Sequence, residues 1–439
     1  MLNMNWKLEQ REKEGKIIKV GIVGAGQMGR GMVTQMVLMK GMTPAIVSDI
    51  NVDLAVHAFK YAEVADEDIV VANTLEEANA GIAAGKYVAC GDASFVSAAE
   101  GVHAVVDCTG VPDVGAKVAT DAMENGKHVV MLNVETDVVI GPYLDKFAKD
   151  HGVIYTGSAG DEPGAVTELY CFAKAMGLNV EVMGKGKNNK LDYECNPDTV
   201  LEEATRRKMS PRMLCAFKDG TKTMVEMTAM CNYTGLVPDV IGGHGPQTAA
   251  GTEGVKQLNE LFKLKEDGGI LNKHGVVEYV NGIAPGVFVT VSTDNAEIAY
   301  QLQYHSMGPG PLWTLYRPYH LCNLETPLTV AKAVIDGEKT CVAKDGLVAE
   351  CITRAKIDLK AGQNLDGIGG YTTLGSICKE EEATEKGYVP FGLINKNAVM
   401  KVDCKKGDLI TYDMVELDQN TLIYKLRKEQ DAMYGKHVL

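Results

Sequence analysis

A strand pattern that runs directly into three glycines constrains the fold of this chain more than any other feature. The stretch KVGIVGAGQMGRG, residues 19–31, places Gly24, Gly26 and Gly29 between an apolar run and a segment of helical character, residues 29–41. In a strand, turn and helix of this kind, the first glycine permits the tight turn and the second lets the backbone approach a pyrophosphate. The third lets helix and strand pack closely. We therefore expect a dinucleotide site at this turn.

An acidic residue after the next apolar run supports this expectation. The run TPAIVSDIN contains Asp49, 20 residues after Gly29, where a carboxylate accepts a hydrogen bond from a ribose 2'-hydroxyl. Gln27 and Met28 are expected to complete the cofactor site. A carboxylate disfavours a 2'-phosphate, so Asp49 favours NAD, while Arg30 nearby keeps NADP open. A glycine turn that serves helix packing alone is the alternative.

Two further apolar runs, residues 103–112 and 127–136, predict more strands of a doubly wound parallel sheet. Ligands bind beyond the carboxyl ends of such strands. The residues expected on the nicotinamide side are Thr109, Gly110, Asn133 and Glu135. For Asp107 and Glu135, a structural role as a helix cap or turn residue is supported as well as a role in cofactor binding.

Net charge and cysteine pattern narrow the class of protein. Forty-four basic and 58 acidic side chains give a net charge of -14, which repels nucleic-acid backbones and anionic lipids. The 11 cysteines include no CxxC pair, so neither a zinc ribbon nor a disulfide framework is indicated. No signal-peptide pattern or long apolar run occurs. We expect a soluble cytoplasmic protein that binds small molecules, not nucleic acid or membranes.

Polar residues beyond the predicted sheet are candidates for the chemistry. Asp161 and Glu162 precede Pro163 at a predicted helix start, where helix capping is an alternative function for both acids. The next predicted strand ends in a cluster of donors that could bind a carboxylate, a phosphate or a developing alkoxide. This cluster consists of Lys185, Lys187, Asn188 and Asn189. The alternative interpretation is that these residues form an exposed basic turn without a binding function.

A buried acid is predicted further along the chain. Lys222 and Glu226 lie four residues apart on one helical face, which is typical of an ordinary ion pair. Glu226, however, interrupts an apolar run, and a carboxylate in such surroundings needs a partner and can transfer protons. His320 is interpreted as a packing histidine.

Several of these segments resemble the homoserine-dehydrogenase-like oxidoreductases that carry a C-terminal SAF domain. The segments are the glycine turn, NVETDVVIGPYL (133–144), GSAGDEPGA (157–165), GKGKNN (184–189) and DGTKTMVEM (219–227). The tail, residues 351–417, resembles a SAF module of the β-clip type. The architecture is similar to that of the 1-deoxy-D-xylulose-5-phosphate reductoisomerase-like enzymes.

The resemblance implies a dimer or higher homo-oligomer that uses NADPH and a divalent metal, Mg or Mn. Such an enzyme rearranges a phosphorylated ketose and reduces the resulting aldehyde, a step of isoprenoid biosynthesis. Asp161 and Glu162 would be the metal ligands, and Lys222 with Glu226 would move the proton. The substrate clamp would consist of Lys185, Lys187, Asn188 and Asn189.

The predicted fold class is α/β, with a Rossmann sheet, an α/β substrate domain and a small all-β SAF domain. The predicted boundaries are an N-terminal arm (1–15), a dinucleotide-binding domain (16–150), a substrate domain (151–325), a returning helix and linker (326–340) and the SAF-like domain (341–439). We expect the reaction in the cleft between the first two domains.

Three functions remain open at this point. The first is a reductoisomerase of a phosphorylated ketose. The second is a dehydrogenase that transfers a hydride to or from a small hydroxy acid or a homoserine-like alcohol, without rearrangement. The third is a non-catalytic protein that senses a nucleotide.

Overall fold

A computed structural model describes residues 3–343 and 345–436 of the chain. These residues form two compact units. The first unit contains Met1–Asp161, Leu321–Val342 and Asn420–Gly435, and the second consists mainly of Glu162–His320 and Ala343–Gln419. Positions 1, 2, 344 and 437–439 of the predicted arm and C-terminal domain lie outside the described residues.

Helices and strands alternate along most of the chain. The strands are β1 (Ile18–Val23), β2 (Met42–Ser48), β3 (Ile69–Ala72), β4 (Tyr87–Cys90), β5 (Ala104–Asp107), β6 (His128–Met131), β7 (Tyr155–Gly157), β8 (Asn179–Lys187), β9 (Val237–Pro238), β10 (Val276–Asn281), β11 (Val287–Ser292), β12 (Trp313–Arg317), β13 (Ala349–Ala355), β14 (Thr373–Lys379), β15 (Val399–Met400) and β16 (Val415–Glu416). The helices are α1 (Met4–Lys13), α2 (Gln27–Leu38), α3 (Val52–Tyr61), α4 (Leu75–Ala83), α5 (Ala93–Ala98), α6 (Pro112–Glu124), α7 (Val134–Asp150), α8 (Glu162–Ala175), α9 (Leu201–Arg207), α10 (Pro211–Lys218), α11 (Thr221–Thr234), α12 (Gly251–Leu261), α13 (Ala296–Tyr304), α14 (Cys322–Asp336), α15 (Glu380–Lys386) and α16 (Leu422–Met433).

The first unit is built on a seven-stranded sheet in the order β3-β4-β2-β1-β5-β6-β7. Every neighbouring pair in this sheet is parallel. The central strand β1 is buried at five of its six positions, as expected for a strand covered on both faces. The α/β class and the parallel Rossmann-type sheet predicted from the sequence are therefore confirmed.

The core of the first unit also contains later parts of the chain. Val330 and Ala331 of α14 pack in the same apolar cluster as Ile18 and Val20 of β1. Met4 of α1 is buried in this cluster as well, so the predicted N-terminal arm contains a packed helix.

The second unit contains a five-stranded mixed sheet in the order β12-β11-β8-β10-β9. Its central strand β8 is parallel to β10 and antiparallel to β11. The register pairs Lys185 of β8 with Tyr279 of β10 and Lys187 with Asn281. The carboxyl ends of β8 and β10 therefore lie side by side.

The C-terminal part of the chain contains two small antiparallel sheets, β13-β14 and β15-β16. Helices α15 and α16 also occur in this part, beside the predicted strands. Ala343–Gln419 belongs to the second unit, and α16 belongs to the first. The predicted boundary of a separate domain at residue 341 stays a prediction.

One predicted strand is shorter than the sequence pattern indicates. The run over residues 127–136 was expected to be a strand, but β6 ends at Met131 and α7 begins at Val134. The side chain of Asn133 caps the helix, since its Oδ1 accepts a hydrogen bond from the amide of Thr136 at 3.3 Å. A capping residue inside an apolar run thus ends the strand and starts a helix. Within the described ranges, no helix has both the length and the apolar character needed to cross a bilayer.

Candidate active site

The glycine turn after β1 leaves the N-terminus of α2 open. Gly24 has a φ of +97°, which favours glycine. A Cβ at Gly29 would lie 1.9 Å from the carbonyl oxygen of Gly24, so only glycine lets α2 pack this closely. A Cβ at Gly26 would meet no atom of the described residues within 4 Å, and no side chain caps α2. An open backbone at the start of a helix fits a bound pyrophosphate.

Asp49 lies beside this turn. Its Oδ2 accepts a hydrogen bond from the amide of Ala25 at 2.8 Å, and its Oδ1 accepts one from the amide of Asn51 at 2.9 Å. A carboxylate has about four acceptor positions, so these two bonds leave room for a ribose hydroxyl. Gln27 and Met28 are the first two residues of α2, and Gln27 is exposed.

Asn133 connects the loops that follow β5 and β6. Its Nδ2 donates to Oδ2 of Asp107 at 2.9 Å and also lies near Oγ1 of Thr109 at 3.2 Å. Burial raises the pKa of Asp107 to about 6, although the hydrogen bonds from Asn133 and Thr109 act in the opposite direction. Glu135 is buried in the first turn of α7, and Gly110 has a φ of +66°. These contacts show a structural function for Asn133, and the cofactor contacts of this group stay predictions.

A buried lysine is held between two carboxylates in the second unit. Lys185 Nζ donates to Oε1 of Glu162, the first residue of α8, at 2.7 Å. It also donates to Oε2 of Glu226, which α11 presents from the other side. All three side chains are at most 7% exposed. The sequence indicated a buried Glu226 with a partner, and the partner found here is Lys185.

The three charges change the protonation of one another. Burial alone would lower the pKa of Lys185, but the carboxylates of Glu162 and Glu226 outweigh it and raise the pKa. Burial and the neighbouring charge of Glu162 raise the pKa of Glu226, against the opposing effects of Lys185 and Lys222. Lys222 therefore acts on Glu226 as a nearby positive charge. Lys185 stays an ammonium ion at physiological pH.

Lys187, two residues further along β8, has different surroundings. Its Nζ donates to the backbone carbonyl of Phe217 at 2.8 Å. Burial and the positive charge of Lys185 lower the pKa of Lys187 to about 8. Both lysines are buried, whereas Asn188 is exposed and Asn189 accepts a hydrogen bond from Arg207 at 3.3 Å. The predicted donor cluster is thus a buried pair of lysines beside an amide at the surface.

The donor set does not fit a divalent cation held jointly by Glu162 and Glu226. The ammonium of Lys185 contacts an oxygen of each and already neutralises part of their charge. The same oxygen, Oε1 of Glu162, also lies 3.3 Å from Nε2 of His320, which the sequence had suggested only as a packing residue. Asp161 precedes Glu162 in the chain and ends the first of the three segments that form the first unit. The metal-binding function of Asp161 and Glu162 stays a prediction.

Two buried charged residues of the second unit were not singled out as candidate site residues. Lys356 Nζ lies 2.7 Å from Oδ2 of Asp219, just before α11. The side chain of Glu278 accepts backbone hydrogen bonds from His244 at 2.7 Å and Tyr279 at 2.9 Å. Glu278 interrupts the apolar run VVEYV, the same signal that indicated Glu226. No comparable signal marks Lys356, whose partner lies 137 residues away.

Comparison with known protein families identifies the segment that carries this lysine cluster. Residues 160–326 match the family described as Oxidoreductase DRL, catalytic domain, which covers less than half of the chain. The chain is therefore an oxidoreductase, and Lys185, Lys187, Glu162 and Glu226 all lie in the matched segment. The homoserine-dehydrogenase-like, SAF and reductoisomerase parts of the sequence resemblance stay predictions.

No curated protein matches the chain significantly. Solved structures that match the chain include a probable dehydrogenase from Thermotoga maritima, at 14% identity over 73% of this chain and 90% of that chain, with a TM-score of 0.41. Another is scyllo-inositol dehydrogenase from Lactobacillus casei with bound NAD(H) and scyllo-inositol, at 12% identity over 63% of this chain and 74% of that chain, with a TM-score of 0.36. With identities and TM-scores this low, neither likeness says anything about the substrate of this chain.

Proposed function

We propose that this oxidoreductase uses NAD or NADP to transfer a hydride to or from a hydroxyl-bearing carbon of a small substrate. The observation that carries the proposal is the buried pair of Lys185 and Lys187 at the carboxyl end of β8, inside the matched catalytic segment. One of these lysines has a fixed charge, and the other has a pKa of about 8.

The open turn in the first unit supports a nicotinamide nucleotide as the cofactor. The space above Gly26, the uncapped start of α2 and the carboxylate of Asp49 are the three features that such a nucleotide uses. When bound, the nicotinamide would supply or accept the hydride. Asp49 favours NAD, as argued from the sequence.

The two lysines would have separate functions at the reacting oxygen. Lys187 would donate a hydrogen bond to this oxygen and stabilise the negative charge that develops there. Its lowered pKa makes it a stronger proton donor than an ordinary lysine. Lys185, fixed by Glu162 and Glu226, would keep a positive charge beside Lys187 and so maintain its low pKa.

A reductoisomerase of a phosphorylated ketose is the second candidate. Such a rearrangement passes through an enediolate-like state and needs a Lewis acid, whereas plain hydride transfer can use a lysine alone. The close approach of Glu162 and His320 favours this candidate, because carboxylate oxygen and imidazole nitrogen are both ligands for divalent cations such as Mn. The joint use of Glu162 and Glu226 by Lys185 favours plain hydride transfer.

The test is an assay of nucleotide oxidation and reduction with a panel of substrates, with and without EDTA. The panel contains 2-hydroxy acids, homoserine and 1-deoxy-D-xylulose 5-phosphate, each with NAD(H) and NADP(H). Turnover that survives EDTA supports hydride transfer. Loss of turnover in EDTA and recovery with Mn would support the reductoisomerase. Nucleotide binding without turnover of any substrate would overturn the proposal in favour of a nucleotide sensor.

Lys187→Met and Lys190→Met form a matched pair for the same assay. Lys190 is an exposed lysine three residues further along. We expect Lys187→Met to lower kcat by about 10²- to 10⁴-fold and to leave nucleotide affinity unchanged. Lys190→Met should behave as the parent protein, and equal rates for all three proteins would remove Lys187 from the mechanism.

A further inference from the structure

Two histidine–carboxylate pairs lie beside the parallel strands of the second unit. His244 Nε2 lies 2.7 Å from Oδ2 of Asp239, which directly follows β9. His274, which precedes the start of β10, has its Nδ1 3.3 Å from Oε2 of Glu181 in β8. Ligands of parallel strands bind at the carboxyl ends. Asp239 itself is level with the middle of β10, but the segment after it continues beside β10 to Asn281, where Gln247 forms a parallel bridge. The first pair therefore lies on a segment that reaches the carboxyl end of β10, whereas His274 lies before β10 begins.

Hydrogen bonds fix the orientation of the His244 ring. Although burial acts to raise it, hydrogen bonds from Asn272 and His244 hold the pKa of Asp239 below its usual range. Asp239 is thus a carboxylate that accepts, and Nε2 of His244 must carry the donated hydrogen. The other nitrogen, Nδ1, then has a lone pair in the neutral ring, and no described residue forms a hydrogen bond with it. The side chain of His244 is 19% exposed.

The loop that carries His244 is held by a buried carboxylate. Glu278 accepts hydrogen bonds from the amides of His244 at 2.7 Å and Gly245 at 3.3 Å. Gly243 has a φ of +70°, and a Cβ there would lie 2.7 Å from Oε1 of Glu278. Burying a carboxylate is costly unless hydrogen bonds compensate for the lost hydration. Glu278 therefore anchors the backbone of the loop at His244 and Gly245.

This loop lies next to the strand ends that carry Lys187. Asn281, the last residue of β10, is paired with Lys187 in the sheet. Its Nδ2 also donates to the carbonyl oxygen of Gly245 at 3.0 Å, one residue after His244. The backbone of the histidine loop is thus separated from Lys187 by one strand, β10.

We propose that His244, oriented by Asp239, is the general base of the reaction, a role that rests on the proposed hydride transfer. In the oxidation direction, Nδ1 of His244 would take the hydroxyl proton of the substrate, and a bound nicotinamide would accept the hydride from the same carbon. A carbonyl forms, and Asp239 balances the charge of the imidazolium. Lys187 stabilises the reacting oxygen but does not have to take its proton. In the reduction direction, each step runs in reverse.

The test compares His244→Gln with His274→Gln in the turnover assay. Glutamine can still donate to Asp239 but cannot take up a proton at neutral pH. We expect His244→Gln to lower kcat by about 10²- to 10⁴-fold, with the KM of the substrate and the Kd of the nucleotide unchanged. His274→Gln should keep the kcat of the parent. Melting temperatures of both variants report whether the fold is intact.

A second variant and chemical rescue separate a base from a structural residue. Asp239→Asn should also lower kcat, because the amide can donate to Nε2 and so place the hydrogen on Nδ1. The kcat of His244→Ala should recover with added imidazoles, and the recovered rate should depend on the pKa of each imidazole. A structural histidine would show no such dependence.

The outcomes distinguish this inference from the proposed function. A parent protein that turns over no substrate overturns the proposed function and the base with it. A parent that turns over its substrate while His244→Gln keeps its kcat overturns the base alone. Nitrogen NMR that finds the hydrogen on Nδ1 of His244 would overturn it as well, without any substrate.

Discussion

Lys185 of β8 and Glu162, the first residue of α8, form an ion pair of 2.7 Å in which both side chains are buried. The same ammonium also contacts Glu226 of α11. Two carboxylates therefore share one lysine, and the loss of this lysine would leave like charges together in the interior. The stability and the protonation of the site both depend on this arrangement.

Removal of this ammonium should destabilise the protein severely. We expect Lys185→Met to lower the free energy of unfolding by about 3–5 kcal/mol, because an uncompensated buried charge remains. The double variant Lys185→Met/Glu226→Gln should recover part of the loss. Lys360→Met is the control, since Lys360 pairs with Asp403 at 2.7 Å on an exposed surface. Urea unfolding gives the free energy of unfolding of all three variants. An equal loss of stability for Lys185→Met and Lys360→Met would contradict the prediction.

The lowered pKa of Lys187 predicts two pH dependences. Reduction needs the protonated lysine, so its rate should fall as pH rises through about 8. Between about 8 and about 10 the unfolded state binds more protons than the folded state at this residue. The free energy of unfolding should therefore rise over this range in the parent relative to Lys187→Met. Rate profiles and urea unfolding at several pH values test both statements.

The glycines of the turn should respond differently to substitution. Gly26→Val should abolish nucleotide binding and keep the fold, because its Cβ meets no described atom within 4 Å. Gly29→Ala should destabilise the protein by about 1–3 kcal/mol, because its Cβ would lie 1.9 Å from the carbonyl oxygen of Gly24. Nucleotide titration and thermal unfolding measure the two effects. Undiminished nucleotide binding by folded Gly26→Val would exclude a pyrophosphate at this turn.

Asp49 should set the choice between NAD and NADP. Asp49→Ser removes the negative charge and keeps a short polar side chain near the amides of Ala25 and Asn51. We expect the ratio of the affinities to move toward NADP, since a 2'-phosphate would no longer meet a carboxylate. Asp53→Ser, at the start of α3, is a matched control on the same segment. An unchanged ratio in Asp49→Ser would remove the residue from cofactor selection.

Local signals predicted the first unit well. The glycines, the apolar runs and the acid at a fixed spacing all lie between the start of β1 and the residue after β2, and their meaning does not depend on distant residues. The sequence also indicated that Glu226 is buried, because the acid stands in an apolar run. In contrast, the shared carboxylates of Lys185 could not be predicted, because Glu162 and Glu226 lie 23 and 41 residues away in the chain.

The contacts of His320 and Lys222 also show that sequence patterns do not reveal pairings between distant residues. An i,i+4 spacing correctly placed Lys222 and Glu226 on one helix, but it could not indicate that Lys185 of strand β8 contacts the acid as well. His320 lies near Glu162 only because the second unit brings residues 158 positions apart in the chain into contact. Pairings across such separations depend on sheet register and helix packing, which no single stretch of sequence reports.

The order in which the ribosome synthesises this chain delays the completion of the core of the first unit. Its parallel sheet is encoded before residue 162, yet Val330 of α14 belongs to its core, and Gln430 of α16 donates to the carbonyl of Val139 at 2.9 Å. At translation rates of about 5–20 residues per second, these segments arrive on the order of tens of seconds after the sheet. The nascent sheet therefore spends this interval with an unfinished apolar surface, while residues 162–320 emerge. During this interval, molecular chaperones that recognise exposed apolar surface can bind the growing chain.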